Sequence, residues 1–153
     1  MATLRTIIKN KLANDSDLSN VFTGGVFDVA DLPNDGLTVD TIAKDTNGVT
    51  YLPTIVLRWR GPNPIPGPYD AAQYFLVIFL YDDPSHGLDN ITYGKRRIWE
   101  LLNRQRHHQA DYAGMAWSVW AGDLGEGAGG TDRNDGIMAN MDRMRFQVDI
   151  RRK

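Results

Sequence analysis

The sequence predicts an α+β fold: a four- to five-stranded mixed or antiparallel sheet, two main helices packed on one of its faces, and long loops between strands. Two segments repeat apolar residues with the period of a helix, and several others alternate apolar and polar residues with the period of a strand. Their order is helix, strand, long loop, strand, proline-rich loop, strand, helix, strand, glycine-rich loop, strand. That order is typical of an α+β domain.

Size and composition are those of one soluble globular domain spanning residues 1–153. Of the residues, 42% are hydrophobic and 24% are charged. The chain has no cysteine, which excludes disulfides, thiolate metal sites and thiol catalysis. The longest apolar run, residues 74–81, is far shorter than the roughly 20 residues of a membrane-spanning helix. We therefore expect no membrane partner and no secretion signal.

The first helix is predicted over residues 3–14, with one further helical turn before the chain reaches a Thr-Gly-Gly stop. Its apolar residues lie at positions i, i+3, i+4 and i+8, and they are Leu4, Ile7, Ile8 and Leu12. A short strand at 26–30 follows. The polar segment 31–48 contains Asn-Asp-Gly and Thr-Asn-Gly turns, so it is predicted to be a long excursion with room for its own hairpin.

The next strand is predicted over 54–61, and the four prolines in 62–68 are expected to form a stiff loop outside the sheet. The segment 71–83 is apolar on both faces and predicts the central strand. The second helix covers 88–105. It contains Gly94, which costs about 1 kcal/mol against alanine and favours close packing of the helix on the sheet.

Two more strands complete the sheet. The first is predicted at 115–123, and the second, at 141–153, has the clearest alternation in the chain. On this last strand one face is apolar (Met144, Phe146, Val148 and Ile150) and the other is polar and basic (Arg143, Arg145, Gln147, Asp149 and Arg151). A strand with one apolar and one charged face predicts a sheet with one side exposed to water or to a partner.

The glycine-rich segment 122–136 contains the spacing G-x-G-x-x-G at Gly125, Gly127 and Gly130. In nucleotide-binding folds this spacing joins a strand to a helix whose N-terminus holds the phosphates. Here a strand is predicted to follow, no lysine is present, and four acids lie in the segment. A calcium loop also fails, because Gly136 falls where the fifth EF-hand position needs an oxygen ligand. The segment is therefore predicted to be a mobile connection between two strands.

No catalytic residues, metal ligands or cofactor-binding residues are predicted. His107 and His108 are adjacent, so they cannot both face one metal from a regular helix. They are expected to follow the second helix as cations that complement its dipole. No triad order and no metalloprotease motif occurs, and we expect the protein not to be an enzyme.

The chain has more loop than a domain of this size needs to close its core, and long loops in compact domains are usually functional or disordered. Residues from the glycine-rich loop, the proline loop and the basic strand are therefore the candidates for subunit or partner contacts. They are Leu124, Glu126, Arg133, Asp135, Ile65, Tyr69, Arg143 and Arg145.

The order and spacing of these segments resemble the tail-terminator proteins, also called tail-completion proteins, of long-tailed phages. The opening "LRTIIKNKLANDSDLSNVFTGGVFDV" resembles that family's first helix, turn and strand. The segment "LPTIVLRWRG" resembles its next strand. The pair "YFLVIFLYDD" and "ITYGKRRIWELLN" resembles its core strand and second helix, and the final alternating strand is also in place.

This resemblance implies a structural virion protein that caps the tail tube as a homo-oligomeric, hexameric ring, stops tube polymerisation and joins the tail to the head. Its implied partners are further copies of itself, the major tail tube protein and a neck or head-closure protein. DNA would pass through the lumen without specific binding. The implied location is the tail–neck junction of the virion, after assembly in the host cytoplasm.

Two other functions stay open from the residues. One is a small nucleotide-binding enzyme that uses the glycine-rich segment. The other is a DNA-binding accessory module that uses the basic C-terminal strand, although a net charge of −2 argues against nucleic-acid binding by the whole chain.

Overall fold

One mixed sheet organises the fold, and helices pack on one of its faces. The computed structural model describes residues 4–32, 42–64, 71–107, 114–123, 130–132 and 139–152. The helices are α1 (Leu4–Ala13), α2 (Ser16–Val21) and α3 (Asp89–Leu102). The strands are β1 (Val26–Asp28), β2 (Thr54–Pro64), β3 (Ala71–Asp82), β4 (Gln105–His107), β5 (Gly114–Asp123), β6 (Gly130–Asp132) and β7 (Ala139–Arg152).

The strand order is β1-β2-β3-β7-β5-β4, and β6 pairs with β7 beyond the end of β5. The pair β1–β2 is parallel and all the other pairs are antiparallel, so the predicted mixed α+β fold is confirmed. The described residues form seven strands, more than the four or five predicted. The additional strands β4 and β6 have three residues each, which is too short for a period of two to be recognised.

The main core lies between the helices and one face of the sheet. The predicted apolar side of α1 is buried, and so are Met144, Phe146, Val148 and Ile150 of β7. They pack with residues of β2, β3 and α3 in one cluster that includes Leu57, Ile78 and Ile98. The helices therefore cover one face of the sheet, as the alternation of β7 predicted.

At Gly94, α3 packs without room for a side chain against Phe22 at the end of α2 and against Leu80 of β3. A Cβ atom built at Gly94 would overlap the ring of Phe22 and would lie 2.8 Å from Leu80 Cδ2. The expected role of this glycine is confirmed, because any side chain would push the helix away from β3 and from the end of α2.

The proline-rich segment was predicted wrongly in part, since β2 continues through Pro62 to Pro64. Its register with β3 shifts between Arg60 and Asn63, so the strand passes its first proline in a bulge. On its other side, β2 pairs with β1 only at 55–57. Among the described residues no strand pairs with this side of β2 after residue 57, so residues 58–64 lie at an edge of the sheet. Prolines are tolerated at an edge or in a bulge, because they cannot donate a backbone hydrogen bond to a neighbouring strand.

The excursion after β1 contains the expected hairpin. Lys44 and Tyr51 form an antiparallel bridge, and the turn is closed by the bond from Asp45 N to Thr50 O at 2.8 Å. Gly48 takes a φ of +71° at the tip, a conformation that favours glycine. Ile42 packs with Val56 and Ala139 in a second, smaller core. The hairpin segment 42–52 therefore covers one end of the second face of the sheet.

None of the described helices is long and apolar enough to span a bilayer.

Candidate interaction surface

Two of the eight predicted contact residues, Arg143 and Arg145, lie within the described part of the chain. Both are on β7 and point to the second face of the sheet, opposite the helices. The other six, in the glycine-rich and proline loops, lie outside the described residues: Leu124, Glu126, Arg133, Asp135, Ile65 and Tyr69.

Arg145 packs against the sheet more than it projects from it. It is the register partner of Val77, which in turn is the partner of Arg58, so the two arginines flank one valine. Val77 is only 3% exposed, although it lies on the face without helices. The guanidinium of Arg145 lies over the ring of Phe75, with 5.2 Å from Cζ to the ring centroid. This is a cation–π contact that holds the arginine flat on the sheet.

A more exposed surface lies where α3 ends beside β5. Trp99 and Trp120 are each 44% exposed, and Val119 is 38% exposed. Asn103 links the two tryptophans: its N–H donates to the Trp99 carbonyl (2.9 Å), and its Oδ1 accepts from the Trp120 N–H (3.0 Å).

Val119 and Trp120 are consecutive residues of a strand, so they point to opposite faces of the sheet. Both are exposed because β4 pairs only with residues 116–118 of β5, and among the described strands none continues that edge. Arg104 and Arg106 are exposed beside it, and Arg104 takes a left-handed φ of 54°. We call Trp99, Val119, Trp120, Arg104 and Arg106 the tryptophan edge. The sequence alone does not single out this surface, because the exposure of Val119 and Trp120 depends on β4 beginning only at Gln105, opposite Ser118.

The opposite end of α3 carries carboxylates. Asp82 is fully buried and accepts hydrogen bonds from Asn90 Nδ2 (2.9 Å) and, at 2.8 Å, from His86 Nδ1. This bond is the main reason that the pKa of His86 is raised from 6.5. Asp83 accepts from the Tyr51 N–H at 3.1 Å, which ties the hairpin to the end of β3.

Two exposed acids flank this cluster, Asp45 in the hairpin turn and Asp89 in the first turn of α3. We call Asp45, Asp83 and Asp89 the acidic end. Val49, at the tip of the same hairpin, is 76% exposed, the largest value among the exposed large hydrophobic residues described.

His107 does not act as a helix-terminal cation, so that prediction was wrong. It lies in β4, where it is 2% exposed, and its Nε2 lies 2.6 Å from Ser118 Oγ. The Ser118 hydroxyl donates to the Leu102 carbonyl, so it accepts from His107, whose proton is then on Nε2. Burial, with a contribution from Lys11, lowers the pKa of His107 to about 4. The ring is therefore neutral near pH 7; His108 lies outside the described residues.

The glycine-rich segment does not lead into a helix where it is described. Gly130 begins β6, which pairs with β7 from Gly130–Met141 to Asp132–Ala139. The predicted connection between β5 and β7 therefore contains a short strand of its own. A phosphate site of the nucleotide-binding type needs a helix N-terminus after the third glycine, and a strand stands there. Among the described residues no group of three or more His, Cys, Asp or Glu side chains could hold a metal ion.

Comparison with protein-family models and with curated proteins finds no match to the chain. Among solved structures, the fold is similar to that of a chain in the virion of a native gene transfer agent particle. The TM-score is 0.61, the sequence identity is 13%, and the match covers 97% of this chain and 94% of that chain. The likeness thus extends over nearly the whole of both chains and shows a shared fold.

Proposed function

We propose that this chain is a structural virion protein that caps the tail tube of a long-tailed phage as a ring and joins the tail to the neck of the head. The observation that carries the virion role is the fold likeness to a chain of a gene transfer agent virion over 97% of this chain. The placement at the end of the tube is supported by the resemblance of the strand and helix segments to tail-terminator proteins.

The proposed mechanism is geometric and involves no covalent chemistry. One side of the ring pairs with tube subunits, and the other side presents a different surface, so no further tube subunit can add. The described fold offers surfaces that suit this role: the long antiparallel ladder β2-β3-β7-β5 gives a rigid body, and the tryptophan edge and the acidic end lie at its margins. DNA passes through the lumen without base-specific contacts.

Two measurements test the proposal. Purified chain added to polymerising tail-tube subunits should stop elongation, and capped tubes should carry extra density at one end in electron micrographs. In virions, a gold-labelled antibody against the chain should bind at the junction of tail and neck. The bound ring should have a mass near six times the 17.2 kDa of the chain.

The possible outcomes distinguish the general role, a structural virion protein, from the specific role, capping of the tail tube. Label at another position of the particle would overturn the capping role and leave a structural virion role. A chain found in no virion and bound by neither tube nor neck protein would overturn both.

A further inference from the structure

The two ends of α3 differ in charge and in shape. Asp89 of the acidic end lies in the first turn of the helix. Trp99 of the tryptophan edge lies in its last turn, and Asn103 joins it to Trp120 of β5. The helix has 14 residues, so the two surfaces are separated by about 20 Å at 1.5 Å per residue. They therefore cannot touch each other within one molecule, but they can meet between two molecules.

The acidic end carries an apolar projection. Val49 is 76% exposed at the tip of the hairpin, four residues after the exposed Asp45. The turn beneath it is well fixed, because Asn47 Oδ1 accepts from Val49 N at 2.9 Å and from Thr50 N at 3.0 Å. A fixed turn loses little conformational entropy when its tip becomes buried. Lys44 lies in the same hairpin and is half-buried.

The tryptophan edge has the complementary features. Trp99 and Trp120 expose apolar surface on the helix side of this edge of the sheet, and Val119 exposes apolar surface on its other side. The exposed cations Arg104 and Arg106 lie beside them, so a partner that approaches the edge itself can reach both sides. Tryptophan and arginine are among the residues most enriched at the energetic centres of protein interfaces. A partner for this surface should offer a small apolar projection flanked by carboxylates.

We infer that the partner is a second copy of this chain: the Val49 hairpin tip of one copy docks on the tryptophan edge of the next, with Asp45 facing Arg104. The two surfaces are different, so the contact is head-to-tail, and repetition closes a ring or extends a filament. This assignment deepens the proposed function by naming the surfaces that form the ring, and it rests on that proposal only for the choice of a closed ring.

A charge exchange tests the contact in sedimentation velocity. We expect Asp45→Arg and Arg104→Glu each to weaken self-association about tenfold, since each brings like charges together. The double variant, which restores an opposite-charge pair, should recover to within about threefold of the unmodified chain. Single variants without effect, or a double variant weaker than either single one, would overturn the inference.

Cysteine cross-linking provides the second test, because the chain has no cysteine of its own. The double variant Val49→Cys, Val119→Cys should form a ladder of multimers on mild oxidation. A mixture of the two single variants should stop at dimers. The matched control pairs Val49→Cys with Tyr93→Cys, an α3 residue that is 42% exposed outside the tryptophan edge, and it should cross-link at least tenfold more slowly.

A chain that sediments as a monomer up to its solubility limit, or a ladder no faster than the Tyr93 control, would overturn the inference. Neither result would contradict the proposed function, since a ring can also be assembled on the tube through other surfaces. Conversely, a head-to-tail oligomer that binds no tube or neck protein would support the inference and contradict the proposed function.

Discussion

Arg97 holds Asp15 at two points: its Nε donates to Oδ2 at 3.0 Å and its Nη2 to Oδ1 at 2.7 Å. The same carboxylate caps α2 by accepting from the Leu18 N–H at 3.1 Å. One side chain between α1 and α2 is thus bonded to the middle of α3 and to the start of α2, and it fixes the three helices against each other.

Removal of this carboxylate should destabilise the fold. For Asp15→Ala we expect a loss of about 1 kcal/mol in the free energy of unfolding from the missing cap alone, measured by urea denaturation. Asp15→Asn should lose less, because an amide oxygen still accepts from Leu18. Asp17→Ala is the control: its side chain is 56% exposed and lies 3.6 Å from Arg97 Nε, so we expect a change within about 0.5 kcal/mol. An Asp15→Ala chain as stable as the unmodified one would contradict the assigned role.

Acid should weaken the same contact. The hydrogen bond from Arg97 lowers the pKa of Asp15 below its usual value of 3.8. The stabilisation is therefore complete above pH 3.8 and is lost as the pH falls through the lower folded-state pKa.

Gly94→Ala should be destabilising even though alanine is the better helix former. The gain in helix propensity is about 1 kcal/mol, but the added methyl would overlap the Phe22 ring and approach Leu80. Overpacking of this kind costs about 1–3 kcal/mol, so we expect a net loss by thermal or urea unfolding. Adding Phe22→Leu should recover part of that loss. Thr92→Ala, at an exposed position of α3, is the control and should be neutral or slightly stabilising.

Mild acid should destabilise the fold through His107. Its folded-state pKa of about 4 lies below the usual histidine value of 6.5, so its neutral form stabilises the protein above pH 6.5. That contribution is lost as the pH falls from 6.5 towards 4, and at pH 5 the loss should be about 2 kcal/mol. His107→Gln should remove most of this dependence on pH, since Gln can still donate to Ser118. An unchanged slope in that variant would assign the effect to other groups.

His86 should act in the opposite direction. Its pKa is raised, chiefly by its bond to Asp82, so it stabilises the fold below pH 6.5 and loses this effect as the pH rises through its folded-state value. His86→Gln should therefore make the loss of stability in acid steeper, which distinguishes the two histidines in one pH series.

Deletion of residues 125–129 should leave the fold intact and impair assembly. The deleted segment lies between β5 and β6, so the ladder of β6 with β7, which begins at Gly130, is spared. Circular dichroism and melting temperature should be close to those of the full chain, while capping of tail tubes should be reduced. Normal capping by the shortened chain would show that the segment is dispensable.

Long elements with a clear period were predictable from the sequence, and short ones were not. In β7 and in α1 the apolar residues recur often enough to predict both the type of secondary structure and the face that is buried. The strand β4 has three residues, so His107 was placed as a solvated cation when its environment is the core. The extension of β2 through Pro62 was missed because prolines are tolerated in a strand only where it lies at an edge of the sheet. This part of β2 is at an edge because β1 is short and pairs with β2 only at residues 55–57.

The surfaces at the two ends of α3 could not be predicted in the same way. The exposure of Trp120 depends on β4 beginning only at Gln105, opposite Ser118. The acidic end combines residues 45, 83 and 89, which lie in the hairpin, at the end of β3 and in α3. The charges themselves are readable from the sequence, but their grouping needs the sheet order.

The position of β7 has a consequence for how the chain folds. β7 follows every other described strand in the sequence, yet it lies in the middle of the sheet, with β3 on one edge and β5 and β6 on the other. Without β7, the strands β1-β2-β3 and the strands β4-β5 form two pieces of sheet that share no hydrogen bonds. During synthesis, the two pieces can join only after the residues of β7 have left the ribosome, so closure of the core should be a late step of folding. A nascent chain stalled before residue 139 would thus be a substrate for chaperones, and only molecules that have inserted β7 can compete for a place in an assembly.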